Sequence, residues 1–151
     1  MRHCIQLFGM FILLIILSAC PEDVLDKGGF DFYNYSSSDV DLYLGLAKRE
    51  NGGTLYPDTM ISRDSVAIGP ILKNGGYYYY QYNKYKSSDI LCLYIFNSDT
   101  LRKYSWEEIK EGYKVLRRYD LNVNYLKEID YKVCYPPSEN MENIQMYPPY
   151  E

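Results

Sequence analysis

Ile90-Leu91-Cys92-Leu93-Tyr94-Ile95-Phe96 is apolar or aromatic at every position. A short continuous run of this kind reads as a central β-strand covered on both faces. Working upstream, Tyr77-Tyr78-Tyr79-Tyr80-Gln81-Tyr82 has the strongest strand propensity in the chain, because aromatic rings suit a pleated surface. The turn Asn74-Gly75-Gly76 precedes it, and a weaker strand over Ser65 to Ile68 stops at Gly69-Pro70. Asn51-Gly52-Gly53 and Tyr56-Pro57-Asp58 mark a loop region. Phe30 and Phe32 alternate with Asp31 and Tyr33, and Val40, Leu42, Leu44 and Leu46 alternate with Asp39, Asp41 and Tyr43. With Ser36-Ser37-Ser38 between them, the two runs predict an antiparallel hairpin whose phenylalanines and aliphatics share one core face.

Downstream of the central run, Ser105 and Glu108 make a capping box, with Tyr104 and Ile109 at the flanking staple positions. Glu107 and Glu108 at the start and Arg117 and Arg118 at the end suit a helix dipole. Trp106, Ile109, Tyr113 and Leu116 form its apolar stripe, and Gly112 is tolerated within it. Asn122 predicts a second cap, with Leu121 and Leu126 as its staple and a short helix to about Glu128. Tyr131 to Tyr135 reads as the last strand. The phrase Tyr135-Pro136-Pro137 then returns as Tyr147-Pro148-Pro149, and prolines of this kind place residues 138–151 as a tail lying against the domain edge. The expected fold is mainly β: a sandwich-like antiparallel domain over residues 30–137 with a helical insertion before the last strand. The alternative is an α+β domain with the helix packed on one sheet.

The first twenty residues decide the compartment. Arg2 supplies a positive segment, Leu7 to Leu17 an apolar run of 11 residues broken only by Gly9, and Leu17-Ser18-Ala19-Cys20 the close. This resembles a bacterial lipoprotein signal, with residues 1–19 removed and Cys20 acylated. The run is well short of the ~20 apolar residues that cross a bilayer as a helix. At ~0.8 kcal/mol per buried methylene, several acyl chains on one cysteine hold a protein to the membrane for good. Residues 20–29 read as an acidic linker. Glu22 and Asp23, directly after the cysteine, resemble the surface-export signals of Bacteroidota lipoproteins. The expected location is therefore the cell envelope, lipid-anchored at the outer membrane and facing the cell surface ahead of the periplasm.

The mature chain has 132 residues, enough for one core. The whole sequence carries 16 basic against 20 acidic residues and no basic stripe, which argues against a nucleic-acid partner. The single histidine, His3, leaves with the signal, taking with it histidine metal ligation and histidine-dependent nucleophiles. No phosphate-cradling loop or calcium loop is present, and no metal or cofactor is expected. Two acids alone can hydrolyse a glycosidic bond. Asp39 with Asp41 and Glu107 with Glu108 are the neighbouring pairs, yet a solvated strand face and dipole complementation explain them. A carboxylate-dependent hydrolase is thus the least favoured reading. Cys92 and Cys134 are the remaining thiols once Cys4 and Cys20 are accounted for. In an oxidising envelope they either pair as a disulfide or stay as two buried apolar groups, and both readings are open.

The compositional excess is tyrosine, with 19 in the chain. On a strand Tyr78, Tyr80 and Tyr82 share one face, and Tyr77 and Tyr79 the other. Such a rank either packs as core or presents rings for stacking on a glycan, with Tyr78, Tyr80 and Tyr82 as the expected stacking set. Asp58-Thr59-Met60, Asp64-Ser65-Val66 and Asp99-Thr100-Leu101 resemble the Asp-Ser/Thr-apolar acceptor sites of Bacteroidota O-glycosylation, making Thr59, Ser65 and Thr100 candidates. Turn and capping use of Asp-Thr pairs is the plainer reading, Thr100 above all.

Ile95-Phe96-Asn97-Ser98-Asp99-Thr100-Leu101, Tyr104-Ser105-Trp106-Glu107-Glu108-Ile109, Arg118-Tyr119-Asp120-Leu121, Tyr135-Pro136-Pro137 and Met146-Tyr147-Pro148-Pro149-Tyr150 carry a likeness from Asp89 onward. By these residues the chain resembles a group of small Bacteroidales envelope lipoproteins of unknown function. It implies location and shape, and no activity. The expectation is a non-catalytic, membrane-anchored module that binds or supports an envelope protein, with glycan binding through the tyrosine-rich strand as the alternative.

Overall fold

The computed structural model describes residues 28–47, 66–82 and 89–150. The signal segment, Cys20, most of the acidic linker, Thr59 and Ser65 lie outside the described residues. Among the described residues eight strands form two sheets. The first has three strands in the order β4 (Gly76–Gln81), β1 (Gly29–Asn34), β7 (Lys132–Tyr135). The second has five, in the order β3 (Val66–Ile71), β2 (Val40–Ala47), β5 (Ile90–Asn97), β6 (Arg117–Leu121), β8 (Gln145–Tyr147). All pairings are antiparallel except β1 with β7. Three short helices, α1 (Ser98–Lys103), α2 (Trp106–Glu111) and α3 (Val123–Glu128), lie between β5 and β7. The fold is mainly β, as the strand periodicity predicts. Among the described residues no helix is long and apolar enough to cross a membrane.

Strand β5 explains the layering. Leu91, Leu93 and Ile95 point into the space between the sheets, where they meet Phe30, Phe32 and Val133 of the small sheet. Cys92, Tyr94 and Phe96 take the opposite face and are covered by Trp106 and Ile109 of α2. An alternating strand can leave one face wet, whereas this one is packed on both. Trp106 lies 5.5 Å from the Tyr43 ring and 5.8 Å from Phe96, so α2 is fixed to the sheet by aromatic contacts.

Helix α2 begins as its capping chemistry requires. Ser105 Oγ accepts from the Glu108 N–H, and the Glu108 carboxylate accepts from the Ser105 N–H. It ends sooner than the apolar stripe predicts. Gly112 caps it, Tyr113 takes φ 41°, and the chain turns into β6. Arg117 and Arg118 are therefore strand residues and complement no helix end. A separate α1 precedes α2, capped by the Asn97 side chain. Asn122 does cap α3, its Oδ1 accepting from the Tyr125 N–H, with Leu121 and Leu126 both buried.

The predicted hairpin of residues 30–33 with 40–46 does not form: β1 pairs β4 and β7, while β2 pairs β3 and β5. The reason is Asn34, which is fully buried. Its amide donates to the carbonyls of Ser38 and Ile71, and its Oδ1 accepts from the N–H and hydroxyl of Ser36. The three serines thus form a satisfied crossover between sheets, and the two runs share the core from opposite layers. The tail is built into the fold. Residues 138–150 contribute the edge strand β8 and put Met141, Ile144 and Met146 into the core. Arg117 donates to the carbonyls of Pro148 and Pro149, at 2.7 and 2.9 Å, and so holds the tail's end.

Candidate functional site: a tyrosine-lined sheet face

Register sorts the tyrosines. Phe30 faces Tyr80 and Phe32 faces Tyr78, whereas Asp31 faces Tyr79 and Tyr33 faces Tyr77. Because directly opposed residues share a face, Tyr78 and Tyr80 lie on the phenylalanine side and Tyr77 and Tyr79 on the outer side. This corrects the expected stacking set of Tyr78, Tyr80 and Tyr82. Tyr82 is only 5% exposed and belongs to the core. Tyr80 packs on that core, with its ring 5.4 Å from Phe30. Tyr78 alone of the three is exposed. It sits where the strand runs past the core, lining a cleft of about 290 Å³ with Ile68, Pro70, Leu72 and Tyr77.

The outer face is the exposed aromatic surface. Tyr35 is 59%, Tyr77 54% and Tyr79 42% exposed. The rings form a connected row. Tyr35 stacks on Tyr33 with centroids 5.8 Å apart and planes within 1°, and Tyr33 meets Tyr77 at 5.2 Å. Tyr77 donates its hydroxyl to Asp31 Oδ1 at 2.8 Å. That bond to a carboxylate, with the charge of Asp31 behind it, pushes the Tyr77 phenol up to about 12. At the other end of the row, the ring of Tyr79 reaches across β1 over Gly29. A β-carbon at position 29 would collide with Tyr79 Cζ and Oη and with the Tyr80 carbonyl, so glycine is what lets this ring lie over the strand. Lys132 on β7 stands opposite Asp31, and its ammonium is raised first by its bond to Asp130 and further by the charge of Asp31.

Tyr33 and Tyr35 were not in the expected set. The signal for Tyr33 was the alternation with Phe30 and Phe32, which puts it opposite the core; the missing step was that β4, and not β2, lies beside β1.

A second cluster lies on the outer face of the large sheet, under α2. Arg118 and Asp120 are neighbours on one face of β6. Their side chains are 9% and 2% exposed, with Nε to Oδ1 at 3.0 Å and Nη2 to Oδ2 at 3.1 Å. The Tyr94 ring lies 6.0 Å from the guanidinium carbon. Cys92, opposite Asp120 in register, has its thiol pushed up to about 12, first by burial and then by the Asp120 charge. Burial and the raised value together favour a protonated thiol shielded from solvent, which disfavours nucleophilic chemistry there.

Cys134 is also buried, on β7 of the other sheet, where its Sγ lies 3.2 Å from Ser138 Oγ and 3.6 Å from Met141 Sδ. Both cysteines are free, which corrects the disulfide alternative. They belong to different sheets and pack in different apolar clusters, so the closing geometry of a disulfide is not met.

The acid pairs serve the framework. Asp39 accepts from the Lys73 N–H at 3.0 Å, Asp41 accepts from the Ser98 hydroxyl, and Glu108 is held in the capping box. Thr100 lies in the first turn of α1, half-buried, its N–H bonded to Asn97, so this triplet serves as helix-start chemistry. Among the described residues, no three His, Cys, Asp or Glu side chains converge as metal ligands. The chain matches no family model, no curated protein and no solved structure.

Proposed function

We propose that this chain is an envelope lipoprotein, tethered through acylated Cys20, whose β-sandwich body is a non-catalytic binding module. The outer face of the three-stranded sheet is its contact surface. The observation that carries the reading is the row Tyr35, Tyr33, Tyr77 and Tyr79: the exposed rings of Tyr35 and Tyr77 are held through half-buried Tyr33 and through Asp31, and the exposed ring of Tyr79 lies over β1 where Gly29 leaves it room. Rigid tyrosines offer large amphipathic contact area at low cost in side-chain entropy. The lipobox-like segment ending in Cys20 supports both the tether and the envelope location.

Two experiments test this. Cys20→Ser should abolish lipid labelling and release the protein from the membrane fraction; continued membrane fractionation contradicts the tether. Chemical crosslinking in the native envelope should yield discrete adducts that disappear in a Tyr35→Ser/Tyr77→Ser/Tyr79→Ser variant of unchanged melting temperature. Adducts indifferent to these substitutions contradict the contact surface. Turnover of glycoside, peptide or ester substrates that is lost on replacing a single acid contradicts the non-catalytic reading.

A further inference from the structure

We infer that the ligand of this face is a neutral saccharide chain, laid along the tyrosine row and hydrogen-bonded at its rim by Asp31 and Lys132. The inference rests on the proposal that this face is the contact surface, and goes beyond it by naming the ligand's chemistry.

A pyranose ring has an apolar C–H face and an equatorial rim of hydroxyls. It therefore needs a flat aromatic surface and, beside it, polar groups that both accept and donate. The row supplies both. Tyr79 lies over β1 where Gly29 leaves room for its ring, Tyr35 and Tyr33 are parallel, and Tyr77 is tilted by 46° to Tyr33. Tyr77 is pinned through its hydroxyl. Rings fixed before binding lose little freedom on binding, which is where preorganised sites gain affinity. Asp31 offers acceptor sites and Lys132 donors, and the two face each other in register.

Their opposite signs decide the ligand's charge. The face carries two carboxylates, Asp31 and Asp130, around the one Lys132 ammonium, a slight acidic excess that repels an anionic ligand and is too small to select a strongly cationic one, since recognition of a charged ligand needs one sign to dominate. The acidic chain as a whole, with a formal charge of −4, further disfavours polyanions. A protein partner would more often meet a packed apolar centre with a polar rim; here the phenol hydroxyls and the charges of Asp31, Lys132 and Asp130 run through the patch.

The test is affinity gel electrophoresis of the mature chain in gels carrying a soluble neutral polysaccharide, namely a β-glucan, a mannan, a xylan or starch in turn. At least one should retard the protein. Tyr35→Leu and Tyr79→Leu should each weaken retardation about tenfold, the order expected for losing one aromatic contact. Tyr35→Phe should retain it, because the ring remains. Tyr147→Leu, which removes an exposed tyrosine at the edge of the other sheet, should have no effect. Melting temperatures verify that each variant is folded. No retardation in any of the four gels overturns the inference, as does retardation that survives Tyr35→Leu and Tyr79→Leu. If the gels are blank while envelope adducts still depend on the tyrosines, the ligand is a protein and only the saccharide inference falls. If the adducts are also indifferent, the contact surface falls with it.

Discussion

Asp120→Asn should destabilise the domain far more than a surface substitution does. The carboxylate is 2% exposed and makes two contacts to Arg118, at 3.0 and 3.1 Å, while the guanidinium is itself 9% exposed. The asparagine keeps the volume and removes the charge, leaving a buried cation without its counter-ion. Breaking a buried pair from one side costs about 3–5 kcal/mol. The Tyr94 ring, 6.0 Å from the guanidinium carbon, still offers some attraction, which places the expected cost near the lower end, about 3 kcal/mol. Against a total stability of ~5–15 kcal/mol this is a large share. With an m-value of about 2 kcal/mol/M in urea, the midpoint should fall by roughly 1.5 M. Urea unfolding followed by fluorescence reads this directly, since Trp106 is the only tryptophan and is packed beside Tyr43 and Phe96. Replacing both partners together, as Arg118→Met/Asp120→Met, should cost less than Asp120→Asn alone, because no charge is left unpaired. A midpoint for Asp120→Asn within roughly 0.5 M of wild type, about 1 kcal/mol, would refute the reasoning.

Ser105→Ala removes the α2 cap and should cost about 1 kcal/mol in the same assay. Glu108 is held below the usual carboxylate range, first by the Ser105 N–H and then by its hydroxyl. Its contribution is present above the unfolded pKa and is lost as pH falls through the lower folded value, so Glu108→Gln should flatten the acid limb of the stability profile. Ultraviolet difference titration should find Tyr77 ionising near pH 12, and Asp31→Asn should return it towards the ordinary 10.0. That group stabilises the fold fully below pH 10.0 and loses its contribution as pH rises towards 12, so a Tyr77 that titrates normally contradicts the bond to Asp31. Cys92 and Cys134 should resist a thiol reagent in the native protein and both react after unfolding without reductant; a mature chain with no titratable thiol would restore the disulfide.

Residues 90–96 disclosed their strand, and its double burial, without help, because an apolar run leaves no solvent face to assign. Ser105, Glu108 and Asn122 disclosed their helix starts, because capping is a local hydrogen-bond pattern. The helix end at Gly112 was not legible. Tyr113 and Leu116 keep helical spacing, yet the chain instead takes a positive φ at Tyr113 so that β6 can pair with β5. The same non-local demand overrode the hairpin of β1 with β2. Alternation told which residues share a face in each strand, but pairing depends on which strands meet in space. The tyrosine site carries both lessons. Period two separated Tyr77 and Tyr79 from Tyr78 and Tyr80, whereas only the register of β4 against β1 said which pair faces out and brought Tyr33 and Tyr35 beside them.

The most direct test of the contact surface is site-specific photo-crosslinking in intact cells. A photoreactive amino acid at position 35, within the row, is compared with one at position 107, an exposed site on α2 across the domain. The account predicts discrete adducts from position 35 and none above background from position 107. Adducts of equal yield from both positions, or from position 107 alone, would contradict it.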